Sequence, residues 1–210
     1  MLTVPCPGGT LRKTLAFGTA LLAALALPWL AQAEDGALTI PGNLQQLTER
    51  AAHIVRASVV SAHIEMHPEL VSLHTVVVRL HVQETLKGPA QREFTFRQYV
   101  WDIRSRFGET SYRKGDELLL LMIEPSRYGL SSPAGMDQGR FLITRDASGR
   151  ELAVNGMGNA RLFDGMREAY ARKETAYSAG SARLVSSHVQ GPIEAAQLSR
   201  LIREIVDAAR

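Results

Sequence analysis

With 210 residues, 45% of them hydrophobic, and a formal charge of only +3, the chain has the size and apolar content of one globular domain and lacks the basic excess expected of a polyanion binder. Its single cysteine, Cys6, excludes an internal disulfide framework and any multi-thiolate metal site.

Arg12 and Lys13 precede an apolar run from Leu15 to Leu30, which ends in Ala31-Gln32-Ala33 just ahead of Glu34 and Asp35. This order of charge, apolar run and small residues predicts a cleavable signal peptide over residues 1–33, a mature domain over 34–210, and a periplasmic or secreted location. The run approaches the length of a membrane anchor, but Pro28 and the A-x-A ending favour cleavage, so no membrane span is expected after processing. Cleavage removes Cys6 and two basic residues, leaving a mature chain close to neutral and without a thiol nucleophile.

Pro41-Gly42 followed by Leu44, Leu47 and Ala51 predicts a short helix over 43–52. Period-two alternation then predicts strands over 54–66 and 71–85, joined at His67-Pro68-Glu69-Leu70 into an antiparallel hairpin. A third strand is expected over 93–103. Leu118-Leu119-Leu120-Leu121-Met122 is apolar on both faces and too short for a typical helix, which predicts a central strand over 117–123. Strands at 139–144 and 151–154 flank the turn Asp146-Ala147-Ser148-Gly149. Without βαβ spacing, five or six strands over 54–155 predict a mainly β fold, an antiparallel barrel or sandwich. Helical spacing marks about 163–177 and 192–208 in a C-terminal segment over 160–210, the last helix sealing one end of the barrel.

Ile54-Val55-Arg56, the strand ending Glu84-Thr85-Leu86-Lys87-Gly88, Gly115-Asp116-Glu117 with its leucine run, and Gln138-Gly139-Arg140-Phe141 occur in that order. Together they resemble a group of uncharacterised exported bacterial proteins with an OB-like barrel, distantly similar to the netrin-like fold of tissue inhibitors of metalloproteinases. The resemblance covers about residues 50–145 and implies the barrel fold. The inhibitors' N-terminal cysteine has no counterpart in the mature chain, so their mechanism does not transfer, although protease inhibition of another type stays open.

Chemistry is sparse. A two-residue loop at Pro68-Glu69 would set His63 opposite His74, with His67 or Glu65 as a third metal ligand, yet no recognised metal-ligand spacing supports the set. Two polar residues at a hairpin end explain the histidines more simply. Ser131-Ser132-Pro133-Ala134-Gly135 lacks the glycine that precedes the serine in a nucleophile elbow, and Gly156-Met157-Gly158-Asn159 reads as a flexible turn.

Most aromatic residues after position 33 fall between Phe94 and Phe141, interleaved with arginines. Alternation sends Phe94 and Phe96 to one face of their strand and Arg97, Tyr99 and Trp101 to the other. With Arg104, Tyr112 and Tyr128 these form a candidate ligand-binding surface, unless the rings fill a second core layer. The sequence thus favours a non-enzymatic binding module for an envelope protein, peptide or glycan, with no cofactor. An enzyme built on the hairpin histidines is the alternative, and the compartment and near-neutral charge argue against nucleic acid. Mass-spectrometric sequencing of the exported protein should find Glu34 as its N-terminus; a chain beginning at Met1 would overturn the compartment.

Overall fold

In the computed structural model, which describes residues 41–100, 112–172 and 177–210, the first element is helix α1, Leu44–Arg50. Asn43 starts it: its Oδ1 accepts the Gln46 N–H at 2.9 Å, while Gln46 Oε1 accepts the Asn43 N–H at 3.1 Å. Leu44 and Leu47 turn inward, and Lys87 Nζ closes the far end by donating to the Thr48 and Glu49 carbonyls.

Strands β1 (His53–Met66) and β2 (His74–Lys87) form the hairpin that the alternation predicts. β3 (Glu93–Tyr99) pairs with β2, and β4 (Glu117–Met122) pairs with His53–Ser58 of β1. β5 (Arg140–Arg145), β6 (Glu151–Asn155) and the two-residue β7 (Ile193–Glu194) complete one open antiparallel sheet of order β3-β2-β1-β4-β5-β6-β7. Six strands fall in the stretch where five or six are expected, and the sheet has a seventh. The added strand is β7, which pairs with Leu152 and Ala153, so the last helix starts at Ala195 instead of Pro192. Barrel closure is not part of this ladder.

β4 sits at the centre and is buried on both sides. Leu118, Leu120 and Met122 join Val55, Val78, Leu80 and Phe96 in one core, whereas Leu119 and Leu121 join Ile54, Phe141 and the helices in another. Three register shifts in the β1–β2 ladder, between Ile54 and Ser61, add the local twist that lets a long hairpin curl over the first of these cores.

Helices α2 (Met166–Ala171), α3 (Ala179–Ser187) and α4 (Ala195–Ala208) follow. The single helix expected over about 163–177 is shorter, because Gly165 is left-handed at φ 76° and helical geometry begins only at Met166. α3 was not predicted. Ser178 caps it, and Gly180 in its first turn is tolerated because Ala182, Leu184 and Val185 bury its inner face. α4 lays Leu198, Leu201, Ile202, Ile205 and Val206 across one face of the sheet instead of sealing an end. At about 2 kcal/mol per buried aliphatic side chain, these five residues stabilise the docking of α4 substantially. Among the described residues, no helix is long and apolar enough to cross a membrane.

The 156–159 turn, read from sequence as flexible, is pinned at its base by a knot of two buried side chains, Asn155 and Asn159, while Gly156 and Met157 stay exposed. Asn159 is fully buried at φ 57°, and its Nδ2 donates to the Ala153 and Gly191 carbonyls, both at 2.9 Å. Its Oδ1 accepts the Asn155 N–H, while Asn155 Oδ1 accepts the Asn159 and Met157 N–H groups. Asn159→Ala strands several of these partners without water, so urea unfolding should show a loss of about 3 kcal/mol or more. A loss below about 1 kcal/mol would show that the knot is not structural.

Candidate functional site

The hairpin outruns its neighbour. β4 pairs with only the first half of β1, so Val59–Met66 and the facing part of β2 project beyond it, flanked by β3. At this end the chain after β4 folds back as segment 123–134. Ser131 N–H donates to the Arg97 carbonyl at 2.8 Å beside a parallel bridge between Arg97 and Leu130. Met122 forms an antiparallel bridge with Pro133, and Ile123 N–H donates to the Ser132 carbonyl at 3.0 Å.

His67 ties the hairpin loop to this segment. Its ring is buried, Nδ1 accepts the Glu69 and Leu70 N–H groups at 3.1 and 3.0 Å, and Nε2 meets the Tyr128 carbonyl at 2.9 Å. With both N–H groups directed at Nδ1, the ring proton belongs on Nε2, which donates to Tyr128. Sequence reasoning singled out His67 as a weak metal ligand and missed this structural role. The only available signal was its place at the mouth of a turn.

The proposed metal set does not assemble. His63 lies opposite Val77, and it is Met66 that faces His74, because the loop spans 67–73 instead of two residues. Glu65 is committed elsewhere: Oε1 accepts Arg97 Nη2 at 2.6 Å and Oε2 lies 3.0 Å from His63 Nε2. Among the described residues, no three His, Cys, Asp or Glu side chains are placed to hold a metal ion.

The arginine–aromatic residues divide. Arg97 is mostly covered, held by Glu65 and by Thr75 Oγ1 at 2.8 Å, and Thr75 in turn donates to the Glu65 carbonyl. Tyr99 is half-buried at the end of β3, in register with Thr75. Tyr112 belongs to the core: it packs edge-on against Phe96 with ring centres 5.4 Å apart, donates to Gln98 Oε1 at 2.8 Å, and has its phenol pushed well above the usual range by burial. Tyr128 is half-exposed, with the Arg127 guanidinium 4.6 Å above its ring and donating to its hydroxyl at 2.7 Å. Trp101 and Arg104 lie outside the described residues. Ser131 is no exposed nucleophile, since it is buried and its hydroxyl donates to the Ile123 carbonyl.

The structure therefore joins two candidates that the sequence kept apart. The hairpin histidines, Arg97, Tyr99 and Tyr128 meet at one end of the sheet through the Glu65–Arg97 pair and the His67–Tyr128 bond. No family model matches the chain, and no curated protein matches it.

Arg97, with a smaller contribution from His63, holds the Glu65 carboxyl below the usual carboxylate range. Because folding lowers this pKa, the pair's stabilisation is present above the unfolded glutamate value and is lost as pH falls through the folded one. In a carbon-13 NMR titration, Arg97→Ala should move the Glu65 carboxyl back upward. An unmoved titration would show that Arg97 does not hold it.

Proposed function

We propose that the chain is an exported, non-enzymatic binding module that recognises a protein, peptide or glycan at one end of an OB-like barrel. The observation that carries this reading is the polarity of segment 130–133, parallel to β3 at Arg97 and antiparallel to β4 at Met122. A short strand in that place would complete a five-stranded ring with β1, β2, β3 and β4, the partly open barrel of an OB-fold. Barrels of this kind hold extended ligands between the loops that follow their first and fourth strands. Here those loops are 67–73 and 124–131, the pair joined by His67 and Tyr128.

Tyr128 stacked under Arg127 supplies the amphipathic ring and directed donors that dominate binding hot spots. Trp101 and Arg104 belong to the proposal on sequence grounds alone. The signal-peptide pattern supports a periplasmic or secreted location, and the near-neutral mature charge favours a protein, peptide or glycan over nucleic acid.

Titration of the isotope-labelled mature chain with envelope peptides and oligosaccharides should shift amides at 66–74, 97–99 and 126–131. Tyr128→Ala should weaken binding by about 2 kcal/mol while changing unfolding by only about 0.5 kcal/mol. Shifts confined to the helical face around α4 would remove this site.

A further inference from the structure

We propose that His67 is an acid-released latch: neutral, it locks the 67–73 loop to the 124–131 segment, and protonated, it lets them part. The inference rests on reading these two loops as the binding end, and it adds the regulation of that site.

The hydrogen bonds define the latch. Two backbone N–H groups converge on Nδ1 while Nε2 donates to the Tyr128 carbonyl, so the neutral ring uses both nitrogens. An added proton has to go on Nδ1, the nitrogen already accepting from Glu69 and Leu70. It turns an acceptor into a third donor and leaves two amides facing an N–H. His67 as a whole is only 5% exposed, so water has little access to solvate the new charge in place.

No anion among the described residues compensates. Among the described residues, the ion pair formed by a histidine is that of His63 with Glu65, and none involves His67. Glu65 on β1 is turned to Arg97 of β3, and Arg127 and Tyr128 in the opposite segment engage each other. Glu69 meets the ring through its backbone N–H, and neither His74 of β2 nor Glu124 pairs with it. The native arrangement therefore requires a neutral ring, whereas the released loop tolerates either form. Acidification through the range where histidine takes up a proton shifts the balance toward release.

Amide hydrogen exchange of the wild-type mature chain, corrected for intrinsic rates, tests this without any ligand. Between about pH 7.5 and about pH 5, protection at Glu69 and Leu70 should fall about tenfold or more, while Leu119 and Leu121 keep theirs. Nitrogen-15 shifts of the His67 ring should place its proton on Nε2 at the higher pH and show uptake of the second proton as protection is lost. His67→Gln, which retains an acceptor and a donor but does not titrate, should lose the pH dependence. Unchanged protection in the wild type, with the ring either neutral or protonated, overturns the latch, as does an equal fall in His67→Gln. If that variant does not fold, the wild-type ring and amide measurements decide alone. Failure here leaves the ligand titration at neutral pH unaffected, so the two ideas fail separately.

Discussion

Five consecutive side chains, Leu118 to Met122, are buried on both faces of β4, and the fold is arranged to keep them so. A strand that is apolar on both sides needs a cover on each. α1 and α4 supply one, bringing Leu44, Leu47, Leu198 and Ile202 against Leu119 and Leu121. The other comes from the sheet itself, as β2 and β3 carry Val78, Leu80 and Phe96 over Leu118 and Leu120. The irregular β1–β2 register follows from this second requirement, because a flat hairpin would leave that core open to water.

Polar groups drawn into such a fold must find partners, and they do so in compact knots. Arg56, in register with Leu119 on the neighbouring strand, is held between Glu117 and Glu151, and Glu151 also receives Arg145. Asn155 and Asn159 satisfy one another and three strand or loop carbonyls while fastening the turn before α2. Thr75, fully buried, works the same way between Arg97 and the Glu65 carbonyl. These networks fix geometry more than they add net stability, since each bond mainly offsets the cost of leaving water.

The candidate site is a by-product of the unequal strand lengths. Because β4 is short and β1 long, the hairpin end has room for the chain after β4 to turn back against β3. Arginine and carboxylate meet there under partial cover, and the exposed chemistry left over is carried by Tyr128, Arg127, Met66 at the end of β1 and the loop residue Val71. A surface of that make-up presents contact area and a few directed bonds, the features that carry recognition hot spots.

Local periodicity by itself determined much of the architecture: the α1 start at Asn43, the alternation of β1 and β2, the two-faced run of β4, the β5–β6 hairpin and the apolar stripe of α4. Each of these is written in a window of about ten residues, where burial and backbone geometry impose a period. What sequence left open depends on partners distant along the chain. The loop length that sets His63 against Val77, the assignment of Tyr112 to the core, and the pairing of β7 with β6 are decided by packing and register. The role of His67 belongs to the same group, because its ring is defined by a carbonyl 61 residues away, and no local pattern encodes a hydrogen bond across that separation.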